Sequence, residues 1–226
     1  MPRQLNFDLP VNTDYTRNGF VPAPGNAVAL AMVADWQNWP LGKLVVSGPE
    51  GAGKTHLAHI WAGMANAPIV AARDLAGLDL EALAAAPVAV EDVPQIAQDR
   101  AAQEALFHLH NMLAAAGHAL LMTGVGTPNH WHMGLPDLQS RIDAAGHAAV
   151  ALPDDALLTA VLEKHFADRQ LTPRADVIPY LVRRMERSFA AAQTIVAGLD
   201  ATSLSERTPI TRKLAASLLD NLETNG

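Results

Sequence analysis

The sequence predicts an α/β fold, a parallel sheet flanked by helices, followed by a small all-α unit of four helices. Three observations carry this. Short apolar segments alternate with helical stretches between residues 26 and 152. One of those segments runs through a glycine-rich loop straight into a helix, and no strand pattern recurs after Pro153. The composition agrees: of 226 residues half are apolar but only 5% aromatic, enough for the core of one large and one small unit. There is too little period-two alternation for an all-β protein.

Taken in order, residues 1–25 form an extended segment, because Pro2, Pro10, Gly19, Pro22, Pro24 and Gly25 interrupt every periodic pattern. Ala27–Trp36 has helical spacing and is stopped by Pro40. Lys43–Ser47 is a strand leading into the glycine-rich loop, and Thr55–Met64 is the helix leading out. Ile69–Ala72 and Val88–Val90 supply two more strands, the second ending in acids. Gln98–Ala116 is a long amphipathic helix closed by Gly117, and strands follow at Ala119–Thr123 and Ala148–Leu152. Beyond residue 152, Asp154 caps a helix over Ala156–Arg169, and Thr172 with Pro173 opens another that runs through Arg187. Phe189–Thr202 and Thr208–Asn221 complete the four. The expected divisions are therefore 1–25, 26–152 and 153–226.

Charge excludes some functions. Lys and Arg number 16 against 23 Asp and Glu, a net charge of −7, and the acidic excess lies before residue 150. Autonomous duplex binding draws its affinity from displaced phosphate counterions and needs a basic face; direct sequence-specific DNA binding is not expected. Without cysteine there is no disulfide, thiol nucleophile or cysteine zinc site, and a cytoplasmic location is expected. No apolar run approaches a membrane span, and the N-terminus lacks a signal-peptide pattern.

Gly48-Pro49-Glu50-Gly51-Ala52-Gly53-Lys54-Thr55 fills every fixed position of the P-loop pattern, with a strand before it and a helix after it. Glycines let the backbone turn its N–H groups toward a phosphate, and the helix N-terminus adds partial positive charge. Lys54 can reach the terminal phosphates and the Thr55 hydroxyl can ligate magnesium. Pro87-Val88-Ala89-Val90-Glu91-Asp92 then supplies carboxylates at the end of a neighbouring strand to hold the Mg2+ shell. His108 and His110 point to different sides of a helix, and His130 and His132 have no third ligand nearby in sequence, so zinc is not expected. Trp36, Trp39 and Trp61 read as core or interface aromatics, and Arg183, Arg184 and Arg187 as a solvated face.

Four further stretches resemble the DnaA-related AAA+ proteins, and among these most closely the short Hda-like group. Phe20-Val21 with Gly25-Asn26-Ala27 is similar to that family's adenine-pocket segment. Gln103 through His108, with Asn111 and Gly117, is similar to its helix after Walker B, and Leu120-Leu121-Met122-Thr123-Gly124 to its sensor 1 strand. Leu135-Pro136-Asp137-Leu138-Gln139-Ser140-Arg141 resembles its box VII. The resemblance implies an AAA+ sheet with a helical lid, ADP or ATP with Mg2+ as cofactors, and Arg141 as an arginine finger acting in trans. It places Phe20, Val21, Asn26, Gly48, Gly51, Ala52, Gly53, Lys54, Thr55 and His56 on the nucleotide, and Thr55 with Glu91 on the metal. Glu91 and Asp92 join Arg141 as the catalytic set. The family's helix-turn-helix DNA-binding domain is not expected after residue 226. Gln4-Leu5-Asn6-Phe7-Asp8-Leu9 resembles the peptide by which Hda-like proteins dock on the sliding clamp, the beta subunit of DNA polymerase III. An extended peptide can seat Leu5, Phe7 and Leu9 in apolar pockets while Gln4 sets the register.

The chain departs from the family at the catalytic positions. Glu91 stands where the first Walker B acid is aspartate, so Glu91 or Asp92 serves magnesium. Val125 replaces an aspartate after the Thr-Gly pair, and Ala190 stands at the sensor 2 arginine with Arg187 three residues earlier. All three lie around the γ-phosphate, which implies a protein that binds nucleotide better than it hydrolyses it. The implied function is negative regulation of replication initiation, exerted on DnaA from the clamp. The alternative is a self-contained ATPase, a helicase loader or a DnaA-like initiation factor. A homo-oligomer stays open. The segment Leu135–Leu138 should start a short helix that aims Arg141 away from this chain's own P-loop; the competing expectation is an Arg141–Asp137 pair along that helix.

Overall fold

The computed structural model describes residues 19–225, and the candidate clamp peptide of residues 4–9 lies outside them. Five parallel strands form the sheet: β1 Lys43–Ser47, β2 Ile69–Ala71, β3 Val88–Glu91, β4 Leu120–Gly124 and β5 Gly146–Ala149, in the order β2-β3-β4-β1-β5. The register pairs Lys43 with Leu120, Leu44 with Gly146, Val88 with Leu120 and Ile69 with Ala89. The central strands β1, β3 and β4 are buried on both faces and read as nearly unbroken apolar runs, which is why such short segments suffice to declare them.

Alternation within each run then sorts the two faces. Val45, Val88, Val90, Leu120 and Met122 turn toward α4 (Arg100–Ala116) and α5 (Pro136–Asp143). Leu44, Val46, Ala89, Leu121 and Ala148 turn toward α1 (Ala27–Ala34) and α2 (Lys54–Ala65), where Trp39 stacks on Trp61 with ring centroids 5.3 Å apart. Asp99 caps α4 by accepting from the Ala102 N–H, and Gly117 ends it in the left-handed conformation, φ 72°. A short helix that the sequence did not announce, α3 (Leu80–Leu83), is capped by Asp79.

Four helices follow: α6 Asp155–Asp168, α7 Val177–Arg184, α8 Phe189–Glu206 and α9 Arg212–Asn225. They enclose a separate core of Leu158, Leu162, Phe166, Leu181, Val196 and Leu199 among others. The N-terminal segment ties the two cores together. Phe20 belongs to the sheet-side cluster, whereas Val21 and Ala23 pack on the helical one. Among the described residues no helix is long and apolar enough to cross a membrane.

Several boundaries differ from the sequence expectation, three of them for a local reason. The last strand covers 146–149 rather than 148–152: after Val150 donates to the Ser47 carbonyl, Ala151 turns away to bond Gly25. The helix expected from Thr172 starts only at Val177, because Pro179 lacks an N–H and is tolerated only in a first turn. The last helix starts at Arg212 rather than Thr208: Pro209 disfavours helix before it, and the Ile210 carbonyl is taken by the Arg174 N–H.

Candidate functional site

The carboxyl ends of β1, β3 and β4 open onto a cleft of about 530 Å³ roofed by α6 and α8. Ligands of open α/β sheets gather at such strand ends. From the sheet side the cleft is lined by Glu50, Gly51, Gly53, Lys54, Thr55 and His56 of the P-loop and α2, by Asp92, Pro94 and Gln95 after β3, and by Val125 after β4. From the lid it is lined by Val161, Lys164 and His165 of α6 and by Phe189, Ala190 and Gln193 of α8. Gly19, Phe20 and Val21 close the side.

The loop itself is drawn tightly against the lid. A Cβ on Gly51, at φ 74°, would lie 2.3 Å from the Ser188 Cβ, so only glycine fits there. The Phe189 N–H, at the start of α8, donates to the Gly51 carbonyl at 3.4 Å. Lys54, 7% exposed, donates through Nζ to the carbonyls of Gly48 at 3.0 Å and Pro49 at 2.7 Å. Burial lowers its pKa, against the pull of Asp92, Glu50 and Glu91.

Thr55 and Glu91 lie together, the threonine side chain close enough to favour the charged form of the Glu91 carboxylate. Asp92 follows in the left-handed conformation, φ 57°, with its N–H on Thr123 Oγ1 at 3.2 Å. Aspartate tolerates that conformation better than most residues. The result is a hydroxyl and two carboxylates beside a phosphate-type loop, an oxygen donor set that fits Mg2+ retaining several waters. Burial raises the Glu91 pKa, the neighbouring Asp92 charge adds to this, and Thr55, His59 and Lys54 oppose it.

That shift has a testable sign. A carboxyl whose folded-state pKa is raised supports the fold below its unfolded pKa and costs stability as pH rises through the raised value. Glu91→Gln is therefore expected to raise the melting temperature at neutral pH in magnesium-free, nucleotide-free buffer, and to weaken magnesium-dependent nucleotide binding. Thermal denaturation and calorimetry with and without Mg2+ check both. A lower melting temperature with unaltered magnesium dependence would contradict the assignment.

Phe20 meets His56 edge-on at 5.1 Å between ring centroids. His165 of α6 lies close enough to feel the His56 charge, and burial is the main cause of its lowered pKa. Asn26 does not line the cleft. It is buried and shapes the wall instead, accepting the Ala23 N–H at 2.8 Å and donating to the Val21 carbonyl at 3.1 Å. Gly48 and Ala52 also sit behind the lining. Arg187 is turned away, bonded to Asp155 and to the Pro153 carbonyl, while Ala190 faces the cleft. Lys164, His165 and Gln193 were not legible in the sequence, since only the folding-back of the lid brings them here.

Arg141 lies near the end of α5, exposed and outside the lining of the cleft. Among the described residues no ion pair joins it to Asp137.

The sheet order, the P-loop on β1 and the helical lid define an AAA+ fold of the DnaA type. No family model matches the chain. Domain III of the Thermotoga maritima replication initiation protein DnaA superposes with a TM-score of 0.81 at 19% identity, covering 94% of this chain and 98% of that one. AMPPCP-bound DnaA from Aquifex aeolicus gives 0.70 at 19% identity over 85% of this chain and 66% of its own. The Thermotoga maritima RuvB Holliday junction branch migration motor gives 0.70 at 15%, over 93% and 72%. At these identities the likeness establishes the fold.

Proposed function

We propose that this chain is an adenine-nucleotide-bound regulator of the Hda-like kind, which docks on the sliding clamp and stimulates ATP hydrolysis by DnaA in trans. In this reading residues 26–152 form the nucleotide-binding unit, residues 153–226 the lid, and the protein works in the cytoplasm as a negative regulator of replication initiation. The carrying observation is the contrast between Arg141 and the cleft. An exposed arginine without an ion pair to Asp137 stands away from the cleft, and Ala190 of α8 lines that cleft at the position where the resemblance implies an arginine.

Each group has a part in this. Lys54 and the backbone of Gly51 and Gly53 hold the phosphates. Thr55 with Glu91 and Asp92 would hold magnesium, which supplies charge neutralisation of the phosphates when bound. Phe20, Val21 and His56 would wall the base. With Val125 and Ala190 beside the γ-phosphate position and Arg187 turned to Asp155, ADP should be held at least as well as ATP.

The test is ATP turnover by purified DnaA, measured with this protein and with or without clamp loaded on DNA. Stimulation that requires the loaded clamp is expected; none under any condition removes the proposal. The variant carrying alanine at Gln4, Leu5, Phe7 and Leu9 is expected to lose clamp binding with no change in melting temperature. Clamp affinity equal to that of the wild type would leave residues 4–9 without the docking role.

A further inference from the structure

Gln103 is a buried amide, 2% exposed, one turn into α4. Its Nε2 donates to the Ile96 carbonyl at 2.8 Å and the Ala97 carbonyl at 2.9 Å, and its Oε1 accepts the Leu135 N–H at 2.8 Å. The side chain thus spends every bond on backbone, and on two segments far apart in sequence. The first, residues 92–97, starts at the left-handed Asp92 and lines the cleft through Asp92, Pro94 and Gln95. The second is the entry to α5, where Leu135 is the capping residue and supplies no side-chain cap. The eight-residue helix α5 carries Arg141.

A second contact joins the same parts. A Cβ on Gly124 would lie 2.5 Å from both Pro94 Cδ and Trp131 Cζ2, so the cleft-lining proline, the end of β4 and Trp131 are in close contact. Trp131 Nε1 donates to the carbonyls of Val125 at 2.9 Å and Gly126 at 3.2 Å. Gln139, within α5, accepts the Met133 N–H at 3.1 Å and donates to the Pro128 carbonyl at 3.0 Å. The loop between β4 and α5 is therefore bonded at both ends, to the rim of the cleft and to the helix.

From this we infer that Gln103 is the positioning residue that ties the helix bearing Arg141 to the nucleotide cleft, so that presentation of Arg141 depends on what the cleft holds. The inference deepens the role proposed for Arg141 and rests on it for its biological meaning. Leu138 and Ile142 seat α5 in the core shared with α4, and the bond from the Leu135 N–H to Gln103 fixes the entry to its first turn. A buried amide with all its partners in place resists independent movement of the two segments it joins. A displacement of residues 92–97 on nucleotide binding is then passed to Leu135 rather than absorbed between them. Such a connection carries coupling when both of its ends bias one element between two arrangements.

The test is hydrogen exchange of the amides of residues 135–143 in the full chain, with and without ADP and Mg2+, alongside ADP affinity by calorimetry. In the wild type, ADP should change exchange there about tenfold, the worth of roughly one hydrogen bond. Gln103→Met, similar in shape but unable to make the three bonds, should bind ADP within a few-fold of wild type while the ADP effect on α5 disappears. Gln103→Glu keeps an acceptor for the Leu135 N–H but sets a carboxylate against two carbonyls. It should lose the effect as well, and it serves if the first variant fails to fold. A merely structural glutamine would change exchange equally with and without ADP. Exchange at α5 that ignores ADP in the wild type, or an ADP effect retained in either variant, overturns the inference. Exchange needs no DnaA, so its outcome is separate from a failure of this protein to stimulate DnaA.

Discussion

Replacing Arg141 with alanine is expected to abolish stimulation of DnaA's ATP turnover while folding, nucleotide binding and clamp binding survive. The transition state of phosphoryl transfer spreads negative charge over the γ-oxygens, and a guanidinium inserted from a neighbouring molecule neutralises it, a contribution of roughly 10³–10⁵ in rate. The survival of everything else follows from exposure: Arg141 is solvent-facing and makes no ion pair with Asp137. Exposed substitutions of this kind usually stay within about 0.5 kcal/mol. Arg141→Lys should fail largely too, because a point charge does not reproduce a planar group with five donors. Turnover of DnaA at the wild-type rate with either variant would remove Arg141 as the finger.

The second large effect is expected at Lys54. Its ammonium is the only side-chain cation of the P-loop, and three carboxylates, on Asp92, Glu50 and Glu91, are near enough to act on its charge. In Lys54→Ala those carboxylates would face the nucleotide phosphates with no cation between them. Removing one partner of a buried, hydrogen-bonded charge pair costs about 2–5 kcal/mol, a loss of roughly 30- to 5,000-fold in affinity. Calorimetry with ADP measures it, and an affinity within a few-fold of the wild type would exclude Lys54 from the phosphate site. The same titration on the wild-type protein should give ADP an affinity at least equal to that of ATP.

Chemistry that depends on a few consecutive residues is legible in the sequence. The P-loop is a local turn followed by a helix start, so its glycines, Lys54 and Thr55 can be named from spacing alone. The carboxylates of Glu91 and Asp92 are legible because an apolar run ending in acids is itself a local pattern. The caps at Asp154 and Gly117 are legible for the same reason. Positions that depend on distant contacts are harder. Asn26 reads as a cleft residue, yet its side chain is consumed by the Val21–Ala23 turn that forms the wall. Arg187 stands three residues before Ala190 in sequence, yet Asp155, more than thirty residues away, holds its side chain outside the cleft.

The sequence by itself determined the fold class, the parallel sheet, the four C-terminal helices and the glycine-rich loop between β1 and α2, because each rests on periodicity or on a turn whose conformation nearby residues dictate. Only the tertiary structure decided the rest. It set the strand order, brought Lys164 and His165 of the lid over the cleft, turned Arg187 away, and placed Gln103 between the cleft rim and the helix that bears Arg141. Those arrangements follow from how whole faces pack against one another, and burial of that kind depends on residues that no local stretch of sequence contains.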